Sequence, residues 1–377
     1  MADSNVVEMR QAKAALTSLI EEKASGVGQI NPSPIVQVLF KTLARTAIQK
    51  SDRGIVYIIV KDTVQTEKYV SIKTVSDLDE ANWETKNYNL IQMAMENYPP
   101  YKIIVRVQGE GESITTVLKE LEIKQITHLA CPYVSNTEDV TVCTWIKSRV
   151  GVQDIVYVSS YANNSDTCAI VELKNTGTYV HELGNFTAQE YTVAIVGAIA
   201  GCPLNRSLTN AVMTNLLSVE DTEPENGKLV LTNDDGEVRI VYAINSKTTF
   251  DSTWKSQTRK IKVYEGMNIV KYDIQNTFRK YWLGLYINNY DNKKAFVSNV
   301  NKVYFKELMP NVLSSDYENK LEIDYEAQKS YIVLDGGDPD LMTETEIYKY
   351  STGDEVHLTG QVRFSDTMDN LEVEITM

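Results

Sequence analysis

From residue 53 onward the chain alternates between short runs that are apolar throughout and longer runs in which apolar residues return every three or four positions. "RGIVYIIVKD", "KIIVRV", "ITHLACPYV", "DIVYVSS" and "TCAIVEL" predict strands over 55–60, 102–107, 126–134, 154–160 and 167–173. Between them the spacing predicts helices over 88–97, 113–121 and 139–148, the first stopped by Pro99 and Pro100, and a further helix over 185–201 ending at Gly201. Strands without a polar face, alternating with helices, imply a parallel sheet covered on both sides.

The pattern then changes. "NDDGE" predicts a turn leading into a strand within 232–250, and two longer helical stretches follow, over 261–285 and 292–308. The part from 321 to 377 reads as mostly β, with strict alternation at Val356, Leu358, Val362 and Phe364. At the end of the sequence Leu371, Val373, Ile375 and Met377 alternate with Glu372, Glu374 and Thr376, the period of a half-buried strand. Such a strand leaves backbone donors and acceptors unpaired beside an apolar face unless something pairs with it. Residues 4–24 form an amphipathic helical pattern, broken by "SGVGQINPSP" over 25–34, a hinge-like connector ahead of the apolar stretch 35–40.

Length and composition sharpen this picture. At 377 residues the chain predicts two domains with terminal arms. A net charge of −14 argues against gripping nucleic acid, which takes a basic surface. No apolar run reaches the roughly 18 residues that cross a bilayer, and the first residues lack a signal-peptide core, so synthesis in the cytoplasm and no membrane insertion are expected. Tyr outnumbers Phe by 22 to 7, which suits either surfaces buried on association or solvent-facing strands.

Candidate chemistry is sparse. The three histidines, His128, His181 and His357, stand far apart in the sequence, and His128 lies inside a predicted strand. No GxSxG elbow is present. "GEGES" follows a strand and precedes a helix, yet lacks the Lys of a phosphate loop and carries Glu110 and Glu112, so a turn capped by Ser113 is expected. "DGGDPD" and "NDDGE" lack the distal glutamate of a calcium hand and read as turns. Cys131, Cys143, Cys168 and Cys202 have no CxxC spacing and are expected as buried free thiols. Neither a cofactor nor a metal is expected, and the chain does not read as an enzyme.

Four segments together carry a resemblance: "SDRGIVYIIVKD" (51–62), "NFTAQEYTVAIVGAIAGCPLNRSLT" (185–209), "DIQNTFRKYWLGLYINNYDNKKAFVSNVNKVYFKEL" (273–308) and "GQVRFSDTMDNLEVEITM" (360–377). They resemble tail sheath proteins of contractile phage tails, in particular the short sheaths of Gram-positive phages and phage-tail-like bacteriocins. The resemblance implies an α/β fold: a subtilisin-like α/β core domain without protease activity over 51–250, a C-terminal α+β domain facing an inner tube over 251–366, and extended N- and C-terminal arms. A helical extension would occupy 1–28, the N-terminal arm and connector 29–50, and the C-terminal arm 367–377. Carried over by position, the N-terminal arm holds Ile30, Ile35, Val36, Val38 and Phe40. The C-terminal arm holds Leu371, Glu372, Val373, Glu374, Ile375, Thr376 and Met377, and Arg279, Lys280, Lys293 and Lys294 are the tube-facing candidates. The implied partners are other copies of the chain in a helical stack of hexameric rings, the inner tail tube protein, and baseplate and tail terminator proteins, in a virion tail or tail-like particle assembled in the host cytoplasm. The residues also leave open a monomeric adaptor or baseplate component that docks by strand addition, and a hydrolase with Ser113 or Ser159 as nucleophile.

Overall fold

The computed structural model describes residues 54–161 and 163–375. Its main layer is a six-stranded sheet built from β1 (Ile55–Val60), β2 (Tyr69–Ile72), β3 (Lys102–Val107), β4 (His128–Ala130), β5 (Val156–Ser159) and β6 (Ile170–Glu172), in the order β2-β3-β1-β4-β5-β6. All pairs from β3 to β6 are parallel, and β2 closes one edge in the antiparallel sense. Every residue of β1 is buried, as a central strand covered on both faces requires. The helices between the strands are α1 (Thr85–Glu96), α2 (Ile114–Leu121) and α3 (Asn136–Arg149).

The expected helix over 185–201 begins only at residue 188. Residues Gly184–Thr187 are instead strand β8, paired with β7 (Thr178–His181), which also pairs with β9 (Leu216–Ser218) in a separate antiparallel sheet. Thr187 then caps α4 (Ala188–Gly201), with Glu190 completing the capping box. Twelve of the fourteen residues of α4 are buried, so it is a core helix rather than a surface one. The turn at "NDDGE" is a hairpin joining β10 (Leu231–Asp234) to β11 (Glu237–Ile240). Asp235 and Gly236 both have positive φ, the requirement of the tight hairpin turn that matches strand twist.

Helix α5 (Ile261–Tyr281) links two apolar clusters. Ile261 and Tyr264 belong to the large cluster around the sheet, whereas Val270 belongs to a second cluster with Trp282, Phe296, Val300, Tyr304 and Leu313. Helix α6 (Tyr290–Asn299) runs through a π turn at Val300–Tyr304 into a last α-helical turn, Phe305–Leu308. The expectation of a mostly β region after residue 321 is overturned. Among the described residues only β12 (Lys320–Ile323) and β13 (Leu358–Gln361) are strands there, forming an antiparallel ribbon, and α7 (Tyr325–Leu334) and α8 (Glu344–Lys349) lie between them. The reason is local: Asp324 accepts a hydrogen bond from the Ala327 amide and starts a helix, whose buried Gln328 and Ile332 then fall four residues apart on one face. Thr343 and Glu346 start α8 with a capping box.

Candidate assembly surface

The C-terminal segment is anchored at its root and exposed over residues 371–375. Lys260 Nζ lies 2.8 Å from Asp366 Oδ2 and 2.7 Å from Asp369 Oδ2. Burial pulls the Lys260 pKa down, but these two carboxylates outweigh it and hold it above the ordinary value. Tyr242 donates to Asn370 Oδ1 at 3.0 Å. Beyond that contact Leu371, Val373 and Ile375 are 90%, 64% and 81% exposed, and Glu372 and Glu374 are exposed as well. Residues 371–375 lie in no strand of the described structure. Thr376 and Met377, the proposed ends of that arm, lie outside the described residues, as do Ile30, Ile35, Val36, Val38 and Phe40 of the other arm.

The ribbon formed by β12 and β13 lies over the second cluster. Its register pairs Lys320 with Gln361, Leu321 with Gly360, Glu322 with Thr359 and Ile323 with Leu358. Leu321, Leu358, Val362 and Phe364 pack on the cluster, while Thr359, Gly360 and Gln361 are exposed.

Of the four cations expected to face a tube, three are on the surface and one is not. Arg279, Lys280 and Lys294 are exposed, and Lys294 Nζ sits 5.9 Å from the centre of the Tyr290 ring. Lys293 corrects the expectation: it is 5% exposed, and its ammonium donates to Thr352 Oγ1 at 2.9 Å and Gln328 Oε1 at 3.2 Å. Burial lowers its pKa. It belongs to the interior because α6 turns its 293, 296 and 297 positions inward, and Lys294, about 100° further round the helix, falls outside that face.

The positions weighed for hydrolysis are otherwise engaged. Ser113 caps α2, accepting from the Thr116 amide. Glu112 of the glycine-rich turn binds the fully buried Arg106 at 2.6 Å, so this turn presents a carboxylate tied to the sheet instead of a cradle for phosphate. Glu120 faces the same guanidinium at 3.2 Å, and its pKa is lowered to about 2 by the Lys68 ammonium, then by the Tyr69 hydroxyl and Arg106. Ser159 is fully buried and donates to Asp139 Oδ2 at 2.7 Å; Tyr157 donates to Oδ1 of the same carboxylate, whose pKa burial pushes up. His128 is buried in β4 with Nε2 3.3 Å from Glu265 Oε1, and His181 Nε2 lies 3.0 Å from Glu96 Oε2. All four cysteines are buried, and none of them forms a disulfide.

Sequence reasoning missed Lys260 as the anchor of the C-terminal segment. Its partners lie more than a hundred residues away, and nothing in "TRKIKV" distinguishes it from its basic neighbours.

No family model matches the chain. A curated relative, the tail sheath protein of Clostridium phage phiCD119, is 29% identical over 357 residues, covering 91% of this chain and 98% of the relative. The chain is related to tail sheath proteins. Among solved structures, the sheath tail protein of Desulfitobacterium hafniense is similar in fold with a TM-score of 0.60 at 15% identity, covering 79% of this chain and 93% of that one. The sheath protein of the anti-feeding prophage, solved as a helical sheath in its contracted state, gives a TM-score of 0.64 at 11% identity over 93% of this chain and 98% of that one. The mixed α/β architecture is thus that of sheath proteins. These relatives are sheath proteins, and in this chain Ser113 caps a helix while Ser159 is buried.

Proposed function

We propose that the chain is the structural subunit of a contractile tail sheath, stacking as hexameric rings around an inner tube and contracting to drive that tube through a target cell envelope. The observation that carries this reading is the apolar alternation of Leu371, Val373 and Ile375, left exposed and unpaired in a chain related to sheath proteins. A strand of this kind joins copies through backbone hydrogen bonds, each worth about 0.5–1.5 kcal/mol net, with alternate side chains setting register. Residues 51–250 are the subtilisin-like core and 251–366 the tube-facing domain. The arms are residues 29–50, with Ile30, Ile35, Val36, Val38 and Phe40 as pairing positions, and 367–377. Arg279, Lys280 and Lys294 are the cations available to an acidic tube. Baseplate and terminator proteins would close the two ends of the stack in a particle assembled in the host cytoplasm. Contraction then releases free energy stored in a metastable lattice.

Negative-stain electron microscopy of the full-length protein over a concentration series, with and without the tube protein, tests the reading. Hollow tubes or six-fold rings are expected. Monodisperse monomers under both conditions would point instead to an adaptor and end the sheath reading.

A further inference from the structure

The first turn of α5 goes against the rule for a helix start. Lys260 stands at the cap position and Lys262 two residues on; the Lys260 side chain caps no amide, and the turn holds no carboxylate of its own. The amino end of a helix carries the positive pole of its dipole, where Ser, Thr, Asp or Asn is favoured and a cation is not.

Both ammonium groups are turned instead to the root of the C-terminal segment. Lys260 Nζ reaches Asp366 Oδ2 at 2.8 Å and Asp369 Oδ2 at 2.7 Å, and Lys262 Nζ donates to the Ser365 carbonyl at 2.9 Å and the Asn311 carbonyl at 3.0 Å. The Ile261 amide donates to the Ala243 carbonyl, and a backbone bridge joins Ile244 to Lys260. That pairing brings Tyr242 to the same patch, where its hydroxyl donates to Asn370 Oδ1 at 3.0 Å. Three side chains from two adjoining segments thus hold residues 365–370.

This grip adds little to the core. The one apolar side chain in the held stretch, Met368, is fully exposed, and no residue of it belongs to either apolar cluster. What the clamp fixes is the place where the exposed residues 371–375 leave the body. A local rule broken without a gain in the core marks a contact kept for another purpose.

We propose that Lys260 is a positioning residue for assembly: with Lys262 and Tyr242 it sets the point and direction in which the C-terminal segment is presented to a second copy. This inference rests on the sheath reading above. Without Lys260, residues 366–370 are released back to Ser365, whose amide stays bonded to the Val312 carbonyl. Each released residue must be ordered again when copies join, and the longer tether lowers the effective concentration of the segment at its target. The clamp removes that cost beforehand, and it ties the exit to α5, the helix shared by both apolar clusters.

The test compares the full-length native chain with Lys260→Met, which keeps the apolar stem and removes the charge, and with Lys260→Arg, which restores the charge. Sedimentation velocity over a concentration series, with and without the tube protein, gives the critical concentration for polymerisation. Lys260→Met should raise it about tenfold or more. Its melting temperature should stay within about 3 °C of the native one, because the released carboxylates turn into water. Lys260→Arg should bring the critical concentration back to within about twofold of the native value. The double variant Asp366→Asn, Asp369→Asn removes the same clamp from the other side and should match Lys260→Met; it decides the matter should Lys260→Met fail to fold. An unchanged critical concentration, or a rise matched by a larger fall in melting temperature, overturns the role of Lys260 and leaves the sheath reading standing. A native chain that stays monomeric under both conditions removes the sheath reading, and this inference with it.

Discussion

Lys293 and Lys294 are adjacent in sequence and opposite in circumstance. The first is enclosed, its pKa lowered by burial and its ammonium held by Gln328 and Thr352; the second is exposed beside Tyr290. Lys293→Glu puts a carboxylate against the Gln328 oxygen in a desolvated site, and should destabilise the protein by about 3 kcal/mol or more. Lys294→Glu should leave the melting temperature within about a degree, since an exposed charge contributes little. Thermal unfolding followed by circular dichroism checks both, and equal effects would mean that the two side chains share one environment. Four lysines and arginines in a helical stretch look alike in one dimension. Only the direction in which α6 presents each of them separates a structural ammonium from a surface one.

At the scale of elements, α1 and α4 set the tightest constraint. A Cβ at Gly197 would overlap the Ala94 carbonyl, and one at Gly201 the Tyr98 carbonyl, so the two helices meet with backbone against backbone. Backbone cannot swing aside as a side chain can. Gly197→Ala should therefore cost about 3 kcal/mol through helix displacement, although alanine is the better helix former. A chemical denaturation midpoint at or above that of the native protein would contradict this. The parallel strands were legible because burial on both faces leaves an uninterrupted apolar run, and β1 and β3 occur at the predicted residues. The region after 321 was not. "LEIDYEAQKSYIVL" contains enough apolar residues for a strand, and the cap at Asp324 together with the four-residue spacing of Gln328 and Ile332 turned most of it into helix. The sheet of β7, β8 and β9 was also missed, because its strands are short and pair at the cost of the first turn expected of α4.

For the whole molecule, the two ends of the C-terminal segment do different work. Lys260 holds Asp366 and Asp369 to the body of the chain, and residues 371–375 are exposed. Deleting 371–377 should leave the melting temperature and far-ultraviolet circular dichroism unchanged and abolish polymerisation in sedimentation velocity. If the shortened chain unfolds, the strand belongs to its own subunit's core; if it still polymerises, the contacts between copies lie elsewhere.

The sequence by itself determined the parallel α/β layer, the turn at Asp235 and Gly236, the cap at Ser113, and the apolar alternation of Leu371, Val373 and Ile375, because each of these is written in local periodicity or in the conformational limits of one or two residues. Tertiary structure alone decided that Lys293 is interior and that Lys260 anchors the segment. Those outcomes depend on which distant backbone a side chain meets, and a one-dimensional pattern carries no information about that meeting.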